Sequence, residues 1–314
     1  MKDVRKLTEG AILLAAFAAL LLITIYIPIV GSILNLVLPL PFIMFSAKNN
    51  LKLITAFFLA AIFISFIAGS LIGVGLMLIY GTVGVVIGYL LQQGKSRTAI
   101  LIASSLTFMA GLVITYVIMT AFLKINIIHE LTVALNESVK NSQDILKTMG
   151  REDQIKQLKE QNANTLKMVK TLAPSILILA SILSAFVTQL LCFPIAKRFG
   201  VKVEPWGSLK NLSLPRSLLW YYLIAMGVNL LIHPNEGTYL YTVIINAIYI
   251  LEMFMVLQGL SFLFYFFHQK SVAKGIRVLV VILAFIIPIF HYIIMILGIT
   301  DIGFDFRKRF EKRE

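Results

Sequence analysis

Charge is what this 314-residue sequence has least of: 14% of it is Asp, Glu, Lys or Arg, against 59% hydrophobic residues. Soluble domains carry about 25% charged and about 45–50% apolar residues, so lipid rather than water is the expected main solvent. Cysteine is almost missing. The single Cys192 lies inside an apolar run and has no internal disulfide partner, so it reads as packing. Short catalytic signatures are missing as well. There is no Gly-x-x-x-x-Gly-Lys-Ser/Thr phosphate loop, no His-Glu-x-x-His, no Gly-x-Ser-x-Gly and no pair of intramembrane aspartates. An ATPase, a zinc protease or an aspartyl intramembrane protease would each need one of these, so no enzyme activity and no cofactor are expected.

The few charges are clustered. All 28 Lys and Arg fall in residues 2–6, 48–52, 95–97, 124–170, 197–216, 270–277 and 307–313. Between them lie apolar runs at about 9–28, 32–47, 51–69, 71–91, 98–123, 172–196, 216–232, 239–267 and 276–299. A membrane helix needs roughly 17–25 such residues. The expected fold is therefore all-α: a polytopic transmembrane bundle of 8–9 segments. The second run holds Pro39 and Pro41 and is expected to be broken. The run after Lys6 is too long for a signal-peptide core and no small-residue cleavage site follows it, so it reads as an uncleaved span.

Short loops set the orientation. The N-terminus and the 48–52, 95–97, 197–216 and 270–277 loops carry fifteen bases, and the alternate connections Pro28–Gly31, Gly69–Ser70 and His233–Thr238 carry none. The expectation is a bacterial plasma membrane protein with a cytoplasmic N-terminus. The net charge of +13 follows from this arrangement and not from nucleic-acid binding, which would need a continuous basic face. Nine spans would strand the basic tail outside. A re-entrant hairpin turning at Pro288 would leave eight spans and return the tail to the cytoplasm. Residues 124–171 mix eight bases with six acids. Ile128, Leu131, Leu135, Val139, Leu146 and Met149 recur at helical spacing before Gly150, and Ile155, Leu158, Leu166, Val169 and Leu172 after it. Two amphipathic helices continuing spans five and six into an extracytoplasmic hairpin are expected. The organisation is then a six-span bundle over 1–198 including that hairpin, a C-terminal extension of two or three segments over 199–300, and a basic tail over 301–314.

Two constellations stand out. On the first span, Ala11, Ala15, Ala18 and Ala19 share one face, a smooth strip on which another helix, the protein's own or a partner's, can approach closely. The fourth span carries glycines at similar spacing, Gly81, Gly84 and Gly88, which argues for tight packing. Glu252 is the one acid deep in a span. An ionised carboxylate there needs a partner or water, so it marks a ligand or proton site unless it serves packing alone. Tyr249 lies on its side of the helix, whereas Asn246 and Gln258 point to either side. Gln189, Asn229 and His291 on other segments are further candidates for its polar company. No metal ligand set accompanies His291, so no metal is expected. Trp206, Trp220, Tyr221 and Tyr222 read as headgroup-level anchors.

The chain, including its closing Gly298-Ile-Thr-Asp301-Ile-Gly-Phe-Asp305-Phe-Arg307-Lys-Arg309, resembles the YybS-like family of bacterial multi-pass membrane proteins. Residues 1–198 are also similar to the substrate-binding S components of energy-coupling-factor transporters. That similarity implies that Ala11, Ala15 and Ala19 dock on a transmembrane coupling subunit with ATPases. It also implies a small-molecule binding or permease-like module whose energy comes from partners. The three apolar segments after residue 198 and the long hairpin depart from that pattern. The alternative is a non-transporting scaffold that gathers other envelope proteins.

Overall fold

The computed structural model describes residues 2–121, 124, 126–151, 153–305 and 307. Among these the regular structure is helical, with no strand. Six stretches are long and apolar enough to cross a membrane, and a bent pair at the C-terminus makes a further one if it is counted as a span. The polytopic helical bundle read from the apolar runs is thus the observed fold. The chain packs as two compact units, one of Met1–Ser142 with Leu177–Pro205 and the other of Gln143–Ile176 with Trp206–Glu314. Residues 143–176, grouped on sequence with the first six spans, cluster with the C-terminal half.

In the first unit, α1 (Lys2–Tyr26) is followed by the broken second segment. Pro28 opens the short α2 (Pro28–Leu34), a tight turn covers Asn35–Val37, and α3 (Leu40–Ser46) starts at Pro39-Leu-Pro41. Proline suits a first helical turn, where its missing N–H is not needed, and this is why the segment breaks into pieces instead of kinking. The next helix, α4 (Leu51–Gln92), is capped by Asn50, whose side chain accepts from the Leu53 N–H at 3.2 Å. It contains the third and fourth spans. At Gly69 and Ser70 the dihedrals leave the helical region, and Ser70 takes φ 50°. A Cβ on Gly73 would strike the Ser65 carbonyl oxygen. In a straight helix those residues would stand about 12 Å apart, so the chain reverses here.

The core of this unit is aromatic. Phe42 meets Phe17 edge-on at 5.0 Å and Phe57 at 5.4 Å, and Phe45 stacks on Phe57 at 4.3 Å. The glycines of the fourth span let backbone meet backbone beside it. A Cβ at Gly84 would lie 2.6 Å from the Pro39 carbonyl oxygen, and one at Gly88 would lie 2.6 Å from that of Ile43. Leu13, Phe17 and Leu21 of α1 face this core, leaving Ala11, Ala15 and Ala19 exposed and Ala18 half-buried. Two further helices complete it, α5 (Arg97–Ala121) and the last part of α7 (Asp153–Arg198). Arg97 lies over the Phe193 ring at 4.4 Å and donates to the Glu204 carbonyl at 2.7 Å.

The amphipathic segment differs from expectation at one end. The helix α7 runs without a break from the polar stretch into the span, but α5 does not continue into α6 (Ile127–Thr148). Asn126 caps α6 instead, accepting from the His129 N–H at 3.1 Å. A capping side chain outcompetes helix continuation where the chain leaves an apolar run. Gly150, at φ 67°, ends α6. Leu135, Val139, Leu146, Leu158, Leu166 and Val169 are half-buried and Leu131 and Met149 exposed, a narrow apolar seam; the Ile128 side chain lies outside the described residues.

In the second unit, α8 (Arg216–Ile232) and α9 (Tyr239–Gln269) form an antiparallel pair, and Thr238 caps α9. Two shorter helices follow, α10 (Lys274–Ile286) and α11 (Pro288–Phe304), meeting at a bend of 108°. With 13 residues, α10 is about 20 Å long and cannot cross a hydrocarbon core of about 30 Å. Its Val280, Val281 and Ala284 join Val256, Leu260 and Leu263 of α9 in one small core, so α10 lies back along α9. The return helix α11 then crosses α9 where Gly298 meets Gly259. A Cβ on either glycine would strike backbone of the other helix, Met255 or Ile294. Past the crossing, Arg307 reaches the Lys210 carbonyl at 2.8 Å. The last segment is therefore a bent pair whose C-terminal end packs beside the 206–215 loop, the arrangement that a re-entrant hairpin would require.

Two measurements test this fold. Single cysteines at Ser208 and Phe304 should react with an impermeant thiol reagent from one and the same membrane face; opposite faces would refute the re-entrant assignment. Overpacking a close-packed site costs typically about 1–3 kcal/mol. Gly84→Val and Gly298→Val should each lower the unfolding temperature of the purified protein by several degrees, while Gly75→Val, with open space around it, should leave it unchanged.

Candidate functional site

Glu252 lies on α9, one helical turn or two before the glycine crossing. Its Oε1 accepts from the Tyr222 hydroxyl at 3.5 Å. Tyr222, which the sequence placed among headgroup anchors, is 3% exposed and turned inward from α8. Its hydroxyl also lies 3.9 Å from the Met295 sulfur of α11. His291, in the first turn of α11, is within electrostatic range of the carboxylate. Through Tyr222, Glu252 thus meets two helices, α8 and the second arm of the bent pair.

The other polar candidates are engaged elsewhere. Asn246 takes the Ser175 N–H at 2.9 Å and donates to the Thr171 carbonyl at 2.7 Å, tying α7 to α9. Gln189 belongs to the first unit, where it donates to the Ser104 hydroxyl at 3.2 Å. Asn229 and Tyr249 are half-buried on α8 and α9. Gln258 is fully buried and forms part of a second constellation that the sequence reading did not identify.

That constellation is an ion lock. Asp301, 4% exposed at the end of α11, accepts from Gln258 Nε2 at 2.6 Å and from Arg307 Nε at 3.0 Å. Its ion pair with Arg307 Nη2 measures 2.8 Å. Gln258 Oε1 in turn accepts from the Leu214 N–H at 2.9 Å. Ser261 lies one turn further along α9. Its hydroxyl hydrogen-bonds the Leu209 and Leu212 carbonyls at 2.7 Å each and accepts from Arg307 Nη2 at 3.0 Å. Arg307 spends its remaining donor on Lys210 and packs over the Tyr265 ring at 5.6 Å. Asp305, at φ 49°, turns the chain so that Arg307 can fold back onto Asp301. Four pieces of chain meet here: the 209–214 loop, α9, the end of α11 and the start of the tail.

A cavity of about 420 Å³ opens beside the lock, bounded by Ser213, Arg216, Asp301, Asp305 and Arg307. Arg216 pairs with Asp305 at its mouth, so its charged walls sum to zero. Among the described residues no three His, Cys, Asp or Glu gather as metal ligands would. The lock had a sequence signal of its own, since Asp301 is an acid at the end of an apolar run with a base six residues later. Quoted only as part of a closing motif, that spacing went unread.

Removing Arg307 would leave Asp301 buried and uncompensated, which costs on the order of 3–5 kcal/mol. Arg216, with a side chain 64% exposed, belongs to the class of surface pairs worth about 0–1 kcal/mol. Thermal unfolding of purified Arg307→Ala should therefore show a large loss and Arg216→Ala almost none. Equal losses would contradict the burial argument.

Comparison with known proteins places these features. A family model described as a predicted membrane protein (DUF2232) matches residues 15–302, a range that holds Glu252, His291 and Asp301. The chain is 33% identical over 314 residues to a protein of Bacillus subtilis (strain 168) described as uncharacterized protein YybS, covering 98% of this chain and 99% of that one. No solved structure matches. With nine-tenths of its length inside the family model, the chain belongs to the DUF2232 family of predicted membrane proteins.

Proposed function

We propose that this protein is a membrane-embedded binding module of the permease type, in which Glu252, Tyr222 and His291 handle a small ligand or a proton and partner subunits supply energy. One observation carries the reading: the carboxylate deep in α9 meets Tyr222, whose hydroxyl also touches Met295 on the bent-back α11. Broken or re-entrant helices at membrane depth are tolerated where they line a site, and membrane carriers use them to place polar groups there. An acid kept at such a depth has a functional role by default. In this reading the chain performs no catalysis of its own, binds no cofactor and sits in the bacterial plasma membrane with its N-terminus in the cytoplasm, as its loop charges suggest.

The outward face of α1 supports a partner. Among the described residues Ala11, Ala15 and Ala19 are exposed on α1, so a coupling subunit could approach α1 as closely as small residues allow. A scaffold that gathers other envelope proteins would use the same face but would have no need of Glu252. Uptake therefore separates the two readings. Cells lacking the protein would be complemented with the wild type or with Glu252→Gln, and accumulation of a panel of labelled vitamins, metal ions and amino acids compared. At least one compound should accumulate with the wild type and fall about tenfold or more with Glu252→Gln at equal membrane abundance. Identical profiles for wild type, Glu252→Gln and the empty strain would overturn the permease reading in favour of the scaffold.

A further inference from the structure

The two polar constellations of the second unit lie on one helix. His291, beside Glu252, and Asp301, in the ion lock, both belong to α11 and stand about 15 Å apart along its axis. Three features between and around them bear on how that helix moves. At its start, Ile287 is extended (φ −109°, ψ 114°) between two helices, and Pro288 offers no N–H to bridge them. At its middle, α11 crosses α9 with Gly298 on Gly259, and Ile294 packs beside that contact in one core with Val256 and Leu260. At its end, it is held by charge: Asp301 and Arg307 join it to Gln258, Ser261 and the 209–214 loop.

A helix hinged at one end, packed tightly at one glycine crossing and clamped at the other can pivot about that crossing once the clamp is released. We propose that the Asp301–Arg307 pair is a latch, and that opening it lets α11 pivot on the Gly259–Gly298 crossing and admit water from the 206–215 side to Glu252. The latch governs the site of the permease reading and rests on it for its purpose. Its geometry stands without that reading. Closed, the network satisfies the buried carboxylate and caps the loop carbonyls, which makes the shut state the resting one. The ligand for opening is water itself, drawn through the cavity between Arg216 and Arg307. The Arg216–Asp305 pair at the mouth is too exposed to hold the gate alone.

The chain's chemistry makes the test clean. Its only cysteine, Cys192, is fully buried, so an introduced cysteine reports alone. Met295, between Glu252 and the lock and in contact with Tyr222, is replaced by cysteine. Its rate of modification by a cationic methanethiosulfonate is then read on purified protein in proteoliposomes permeabilised to the reagent. The closed wild-type latch should give slow labelling, and Arg307→Ala should speed it at least tenfold. Because Arg307→Ala strands a buried charge, the double variant Asp301→Asn with Arg307→Gln is run beside it. That variant is uncharged, retains hydrogen-bonding groups and should also label faster, whereas Arg307→Lys should stay within about threefold of wild type. Ile244→Cys, buried near the far end of α9, should stay protected in every variant. Fast labelling of Met295→Cys in the wild type, unchanged labelling in the double variant, or loss of protection at Ile244→Cys would overturn the latch. No ligand or uptake enters the measurement, so a silent Glu252→Gln in the uptake assay would sink the permease reading and leave the latch standing.

Discussion

Close approach of backbone at glycine is the constraint on which this architecture depends. Helices in lipid gain nothing by hiding leucine from leucine, because the acyl chains are as apolar as the side chains. What holds them together is dispersion at short range, a few polar contacts and shape. Both units use the same device. In the first, Gly84 and Gly88 seat the fourth span on the backbone of α3, and the aromatic cluster of Phe17, Phe42, Phe45 and Phe57 fills the space beside it. In the second, Gly259 and Gly298 bring α9 and α11 together with nothing between them. The broken second segment and the re-entrant hairpin follow from this contact. Neither α3 nor α10 is long enough to cross a bilayer by itself, and both α3 and α11 lie against the backbone of a longer helix.

Much of this was legible in the order of the residues, and the reasons for what was not are physical. The apolar runs gave the spans, Pro39 and Pro41 gave the break, and Gly69–Ser70 gave the reversal within α4, because each is a local property. The fifteen-to-zero distribution of loop bases offered two paths for the last segment, and the bend between α10 and α11 came only with packing. Ala284 and Val280 lie back along α9, a long-range fact that no window of sequence contains. Glu252 was visible as an acid in an apolar run. Its company was not, because Tyr222 sits on a helix of its own and its periodicity is that of an interfacial anchor as much as a ligand. Gln189 looked like company for Glu252 because it is an amide in another span, whereas Asn246 and Gln258 on α9 itself already pointed to either side. Each instead closes a separate hydrogen-bond account of its own helix pair.

The alanine strip shows the limits of face analysis in another way. The spacing of Ala11, Ala15 and Ala19 established that α1 has a smooth side, and the burial of Leu13, Phe17 and Leu21 established which way that side points. The two facts answer different questions. A small-residue face turned into the bundle would be part of the fold. Turned away from the core of its unit, as here, it contributes nothing to that core, and this is why the association proposed above could use it.

The two acids of the second unit show opposite uses of burial. Asp301 is firmly held: its Oδ2 accepts from Gln258 and twice from Arg307, and both of these side chains are themselves held by the 209–214 loop or by α9. Such a pair contributes less to net stability than its contacts suggest, since desolvating both charges offsets much of their attraction. What it does contribute is a single allowed position for the end of α11. Glu252 is the reverse. Its one hydrogen bond, to Tyr222, is long at 3.5 Å, at the edge of what counts as a bond at all. A carboxyl group has room for several more donors. The difference lies in how firmly each acid is fixed: three contacts hold Asp301 to α9 and the tail, whereas one long bond holds Glu252, and it is this spare acceptor capacity at membrane depth on which the proposed ligand or proton role rests.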